Sequence, residues 1–332
     1  MSAAVEPDRI LSELSKLWVS LGKETGGEPD RAVLKACAMT LVVVSDANED
    51  AAGAGETLAL LMRDHPSRTI AVRVEPSGEA ALEARVVAQC WKPFGSRRQI
   101  CCEQVEIQTN DSGLAALPSV ILPLAVADLP LIVLCRAPGL IESPGLDELS
   151  GMATRTVIDS ASIADPRAAV RRVAEWALGR IFGDLAWTRL TRWRELIAQI
   201  FENPDYLAKL PSVRSVRIVH GGAELPVSGW YLAAWVKLCL RSAGADPSIE
   251  FERCKESLVA GLNRLDIRSG DGGLEVSVRK IDGAAEVRVN QLVNRTVFPA
   301  PSDYALLREE LAITGSDAVF DAVLAEAARL CA

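Results

Sequence analysis

The residues best suited to chemistry in this 332-residue chain lie in "GDLAWTRLTRWRELIAQIF", Gly183 to Phe201. Two of the seven tryptophans and three arginines fall between Trp187 and Arg194. Arginine stays protonated, so it cannot act as a general base. It suits fixed recognition of carboxylate or phosphate and stacking on aromatic rings. Tryptophan with arginine is also the composition of protein-interface hot spots. Ala186, Leu190, Trp193, Ile197 and Ile200 recur at helical spacing, which predicts a stripe facing a core, with Trp193 as a buried anchor. Trp187, Arg189, Arg192 and Arg194 fall on neighbouring faces. Asp184 is placed to reach Thr188 or pair with an arginine. The segment reads equally as an amphipathic helix and as a binding face.

Other reactive groups are sparse. His65 and His220 are the only histidines. In "RDHPSRTIAV", His65-Pro66 stops a helix, and Ser67 and Arg68 lead into a strand. One reading is a connector in which Arg63 and His65 meet the last helical carbonyls. The other is a polar corner that contacts an anion or a partner. "VIDS" puts Asp159 and Ser160 at the carboxyl end of a strand, the edge where parallel sheets bind ligands. The plainer reading is a cap for the next helix. The eight cysteines include no CxxC pair, and two distant histidines do not make a zinc spacing, so no metal is expected. Buried thiols are the default for a cytosolic chain. If Glu83–Trp91 and Arg98–Gln108 form a hairpin, Cys90 approaches Cys101 or Cys102 across it, a candidate redox-sensitive bridge.

Nucleotide chemistry finds little support. After the strand "MTLVVVSD" the chain continues "ANEDAAGAG", so acids precede the glycines and would face a pyrophosphate. No GxxxxGK[ST] or GxSxG motif occurs. "VHGGAELP" is the remaining phosphate-loop candidate, with an ordinary turn as the alternative. No cofactor is expected.

The elements that would position these groups alternate in type. Met39–Asp46 is an uninterrupted β-branched run, typical of a strand buried on both faces. Helical spacing marks Pro7–Leu21, Glu49–Arg63 and Pro166–Phe182, with a loop at Gly22–Pro29. Arg68–Glu75, "LPLIVLC" and "RTVIDS" read as further strands. This alternation predicts an N-terminal doubly wound, Rossmann-like α/β domain over 1–182, its sheet mostly parallel with helices on both faces. A connecting helix with the DLAWTRLTRWR motif is expected over 183–209. A C-terminal α+β domain with a mainly antiparallel sheet follows over 210–332. There "SVRSVRIVH", "SIEFERC", "GLNRLDIRS", "GLEVSVRK" and "AAEVRVNQLV" read as strands. Glu224–Leu240, Asp303–Ala312 and Ser316–Leu330 read as helices.

The bulk numbers limit the function classes. A net charge of −8 argues against nucleic acid as a partner, because phosphate neutralisation needs a basic stripe. The first residues carry acids and no apolar core, so no secretory signal is expected. Ser112–Ala127 is the most apolar stretch. It is too short to cross a bilayer comfortably and holds two prolines. A cytoplasmic protein without a membrane segment is expected.

"HPSR" before a strand, "CCEQVEI", "LPSVILPLAVADLPLIVL", "VIDS" and above all "GDLAWTRLTRWRELIAQIFENP" together resemble the OpcA family of glucose-6-phosphate dehydrogenase assembly proteins. The order and spacing match as well as the residues. The resemblance implies a non-enzymatic protein whose partner is glucose-6-phosphate dehydrogenase. It would assist that enzyme's assembly and raise its activity, supporting NADPH production in the oxidative pentose phosphate route. The family supplies no settled catalytic residues. Candidate partner- or anion-binding positions are therefore His65, Ser67, Arg68, Asp159, Ser160, Asp184, Trp187, Arg189, Arg192 and Arg194. The competing reading is a sensor or enzyme that binds a sugar phosphate or nucleotide on the Rossmann-like domain, with Arg68, Arg189 or Arg194 as its clamp.

Overall fold

The structure, a computed structural model, describes residues 6–24, 33–76, 83–96, 98–255 and 261–332. The loop expected at Gly22–Pro29 lies mostly outside them. The chain divides into two compact units, one of residues 1–159, 179–183 and 303–315, the other of 160–178, 184–302 and 316–332.

The first unit is built on an eight-stranded sheet. In chain order its elements are α1 (Pro7–Glu24), β1 (Val33–Lys35), β2 (Met39–Asp46), α2 (Ala51–Asp64), β3 (Ser67–Glu75), β4 (Glu83–Trp91), β5 (Gln99–Asn110), α3 (Leu117–Leu124), β6 (Leu131–Cys135), α4 (Pro144–Met152) and β7 (Arg155–Ile158). Strand order is β1-β5-β3-β2-β6-β7, then the short strand β8 (Phe182–Asp184). Strands β5, β3, β2, β6 and β7 pair in parallel, while β4 pairs antiparallel with β5. The β-branched run of β2 and all of β6 are buried, as central strands of a covered sheet must be. From β2 the chain builds outward in one direction through β3 and β5. It then returns beside β2 and builds the other way through β6 and β7. Right-handed crossovers put α2 and α4 on opposite faces of such a doubly wound sheet.

The second unit holds α5 (Pro166–Trp176), α6 (Leu185–Thr188), α7 (Thr191–Ile200), α8 (Pro204–Leu207), β9 (Val213–Gly221), α9 (Val227–Ser242), β10 (Ser248–Arg253), β11 (Gly261–Ser269), β12 (Glu275–Ile281), β13 (Ala284–Val289) and β14 (Leu292–Val297). Its six-stranded sheet runs β10-β9-β11-β12-β13-β14. Only β9 and β10 pair in parallel, through α9, and the other pairings are antiparallel. The chain then contributes α10 (Asp303–Leu311) to the first unit and α11 (Ala318–Leu330) to the second. Tyr231 and Trp230 of α9, Phe320 of α11, and Leu265, Val276 and Val278 of the sheet form the buried heart of the second unit.

Three elements depart from expectation. The helix expected to reach Phe182 stops at Trp176. Gly179 then takes a left-handed φ of 73°, which a helix cannot continue, and the next residues join the sheet as β8. The connecting segment is not one helix, since it divides into α6, α7 and α8. "AAEVRVNQLV" is two strands, because Asn290 turns the chain at φ 53°. Asparagine tolerates this region, where its short polar side chain bonds locally. Here Asn290 Oδ1 accepts from the backbone N–H of Glu275 at 2.8 Å. No helix of the described residues is long and apolar enough to cross a membrane.

Candidate binding site

In a doubly wound sheet the ligand crevice opens where strand order reverses, beyond the carboxyl ends of the strands. Here that place lies between β2 and β6, and the protein's own side chains occupy it. Asp50 caps α2, accepting from the backbone N–H groups of Ala52 and Gly53 at 3.1 and 3.2 Å. These are the donors a phosphate would use. Beside the cap, Arg136 follows β6 and forms an ion pair with Glu49, and its Nη2 donates to Asp303 Oδ2 at 2.8 Å. Burial raises the Glu49 carboxyl above its ordinary value of 4.5, and Arg136 offsets part of that rise. Arg73 donates to the backbone oxygens of Ala47 and Glu49 at 2.8 and 3.3 Å. A dinucleotide there would meet carboxylates and lose its helix donors. Sequence reasoning named the acids of this loop but missed Arg136 and Asp303, which lie far along the chain.

The "HPSR" residues are internal to the first unit. Ser67 is buried, and its hydroxyl is 2.9 Å from that of Thr69. Arg68 Nε donates to Glu103 at 2.6 Å and its Nη1 to the Leu124 carbonyl at 2.7 Å. Lys35 and Trp18 also donate to Glu103. Burial alone would push the Glu103 carboxyl up, but hydrogen bonds from Lys35, Trp18 and Arg68 outweigh it and hold it below 4.5. His65 Nε2 lies 3.2 Å from the Arg308 carbonyl on α10. Arg155, unremarked in the sequence, is 2% exposed at the start of β7. It pairs with the equally buried Glu310 and donates to the Ile313 and Gly315 carbonyls at 3.0 and 2.7 Å.

The second unit brings Ser160, Asp184 and Trp187 into its interior. Asp184 is fully buried. Its Oδ1 accepts from the backbone N–H of Ala186 at 2.9 Å and of Ser160 at 3.1 Å, and its Oδ2 from the Tyr231 hydroxyl at 2.8 Å. The carboxylate caps α6 and ties it to α9. Burial, then the Asp184 charge, holds the Tyr231 phenol well above its ordinary value of 10. Trp187, one of the candidate partner- or anion-binding residues, is only 3% exposed. Its Nε1 donates to Asp317 at 3.1 Å, and Arg194 lies over the ring, 3.8 Å from its centroid. The stripe of Ala186, Leu190, Trp193, Ile197 and Ile200 is buried throughout. Trp193 meets Phe298 edge-on at 5.4 Å. Arg192 is exposed and pairs with Glu195 at 3.1 Å. Asp159 follows β7 in the first unit, half-buried.

Of the three arginines in the motif, Arg189 lines a cavity of about 220 Å³ in the second unit, with Trp193, Ser228, Lys280 and Phe298. Lys280 gave no sequence signal, because a lysine near a strand end looks like any solvated charge. Cys90 and Cys101 stand opposite one another in the β4–β5 register and their sulfurs are bonded. Cys102 points to the other face, where burial pushes its thiol to about 11. Among the described residues, no group of three or more His, Cys, Asp or Glu is arranged to hold a metal ion.

The fold therefore defines a two-unit α/β protein, one unit doubly wound and Rossmann-like, the other a mixed, mostly antiparallel sheet with a helical layer. The chain belongs to the OpcA family. Residues 59–175 match the family model described as the glucose-6-phosphate dehydrogenase subunit N-terminal domain, and residues 180–324 the corresponding C-terminal domain. An OxPP cycle protein OpcA of Synechococcus elongatus is 25% identical over 278 residues, 79% of this chain and 62% of that protein. Its namesake in Nostoc punctiforme is 26% identical over 156 residues, 46% of this chain and 34% of that protein. This chain thus spans about a third to three fifths of these relatives. Biliverdin reductase of Synechocystis matches with a TM-score of 0.44 at 12% identity, over 88% of this chain and 97% of that one. UDP-N-acetylglucosamine 3-dehydrogenase of Acidithiobacillus ferrooxidans gives 0.44 at 11%, over 88% and 96%. Scores at this level carry no argument about function.

Proposed function

We propose that this chain is a non-catalytic binding partner of glucose-6-phosphate dehydrogenase that assists its assembly and raises its activity. It would thereby support NADPH production in the oxidative pentose phosphate route. One observation carries the reading: the crevice where a doubly wound sheet receives a nucleotide is filled by Glu49, Arg136, Asp303 and the Asp50 cap. A fold kept intact around a filled crevice suits recognition by surface better than turnover. Membership of the OpcA family supports the same partner.

A mechanism consistent with this is preferential binding to the active dehydrogenase oligomer, which shifts its population by mass action. The test mixes the purified protein with the dehydrogenase of the same organism. The expected outcome is co-elution, a change in dehydrogenase oligomer size or apparent substrate affinity, and no oxidation of glucose 6-phosphate by this chain alone. Unchanged elution and unchanged kinetics in the mixture would sink the proposal.

A further inference from the structure

The sheet of the second unit ends in an open strand. β14 pairs with β13 on one side, and among the described residues no strand pairs with it on the other. Backbone direction alternates along such a hairpin. Leu292, Asn294 and Thr296 turn their backbone groups to β13, and the Phe298 N–H continues that series by donating to the Gly283 carbonyl at 2.9 Å. Val293, Arg295 and Val297 therefore present their N–H and C=O groups outward. Natural sheets usually guard an edge with proline, a bulge or a covering segment, because a bare one is a template for another strand. β14 holds no proline and is exposed along its whole length. Leu292, Val293 and Val297 are 65%, 47% and 71% exposed.

The two faces beside this edge differ. Antiparallel partners share a face, so Leu292 and Asn294 lie on the side of Val289 and Val287. On that side is a groove of about 320 Å³, lined by Leu196, Ile200 and Tyr206 from α7 and α8 and by these strand residues, with no carboxylate. The other face carries Val293, Arg295 and Val297 beside Glu286 and Arg288 of β13, and Arg279 of β12 stands opposite Glu286. Arg288 and Arg295 share the one Glu286 carboxylate, at 3.8 and 3.0 Å. This face is positive in a chain of net charge −8. A second copy of β14 suits it poorly. In the registers that pair most of the strand, two-fold antiparallel pairing sets Arg295 opposite or diagonal to its own mate, and like charges so placed repel.

We infer that the free edge of β14 is where the dehydrogenase docks, by adding an extended segment to the sheet. That segment carries apolar side chains on the groove side and an acidic side chain facing Arg288 and Arg295. Main-chain hydrogen bonds supply affinity, and alternate side chains select the partner. The identity of the partner rests on the function proposed above, while the chemistry of the edge is measured without it.

The experiment uses the full chain and two probes, the dehydrogenase of the same organism and a short labelled peptide of alternating valine and glutamate. A peptide of the same composition in blocks is the control. Fluorescence anisotropy is expected to show the alternating peptide binding about tenfold more tightly than the control, or about 1.4 kcal/mol. Its affinity is expected to fall as salt rises. Val293→Pro removes an outward N–H and leaves the bonds to β13 in place. Arg295→Glu reverses the outer charge with the backbone intact, at the cost of one exposed ion pair. Each variant is expected to weaken peptide binding by a similar factor and to lose co-elution with the dehydrogenase, at an unchanged melting temperature. No binding of the alternating peptide, or equal binding by both variants, would overturn the inference. Co-elution of the dehydrogenase with both variants, as with the unsubstituted protein, would also overturn it. Self-association abolished by Val293→Pro would overturn it in favour of a second copy. A peptide that binds the unsubstituted protein while the dehydrogenase does not would sink the choice of partner and leave the edge as a strand-binding site.

Discussion

Trp187 satisfies three demands with one indole, a buried donor bonded to Asp317, a ring face under Arg194 and a tilted ring contact with Phe320. Trp187→Ala is expected to lower stability by about 3–5 kcal/mol, the range for emptying a buried aromatic site. Denaturant unfolding checks this, as a lower midpoint at unchanged slope. Arg194→Ala is expected to cost about 0.5–2 kcal/mol through the lost cation–π contact, and to leave the proposed effect on the dehydrogenase unchanged. Loss of that proposed effect in a folded Arg194→Ala protein would return that arginine to a binding role. The apolar stripe was legible because helical period needs only neighbours in sequence. The burial of Trp187 was not legible, because Asp317 lies 130 residues away. Glu103 sets a pH dependence. Its carboxyl is held below the ordinary 4.5, so its contribution is full above that value. The contribution is lost as pH falls through the lowered native value. Acid titration of stability should show a steeper fall below about pH 4.5 in the native protein than in Glu103→Gln.

At the scale of elements, α10 is held to β7 by the buried Arg155–Glu310 pair. Arg155→Ala breaks this buried ion pair, and a loss of about 3–5 kcal/mol is expected. Replacing both residues, Arg155→Met with Glu310→Leu, is expected to recover most of it, as a double-mutant cycle would show. Gly183 belongs to the same packing, for an added Cβ would come within 2.8 Å of Arg155 Nη2. That explains a glycine at a buried strand position better than any turn does. The β4–β5 hairpin was legible from two strand patterns around a loop. The choice of Cys101 over Cys102 as the partner of Cys90 needed the register, because successive side chains face opposite sides. The β13–β14 turn escaped because its signal was a single asparagine without a following glycine.

For the molecule as a whole, the alternation of strands and helices was enough to read one parallel and one antiparallel sheet, since period and length need no partners. The filled crevice was not readable in the same way. Its acids announce themselves after β2, but Arg136 and Asp303 arrive roughly a hundred and more than two hundred residues later in the chain. The prediction at this scale is that NADP and ATP give no thermal shift with the intact protein. A shift abolished by Asp50→Ala would contradict the filled crevice, since it would place the nucleotide at the α2 cap.

The distance along the chain between Arg155 and Glu310 also matters during synthesis. The two residues are 155 positions apart, and ribosomes add about 5–20 residues per second. For roughly 8–30 s, then, a nascent chain that has made Arg155 has no carboxylate to receive it. The first unit cannot close its interior while its own α10 is unmade, although most of its sheet has already emerged. Its vulnerable period on the ribosome is set by the length of the second unit. A nascent chain arrested before Asp303 should accordingly be a better chaperone client and protease substrate than one released just after Gly315.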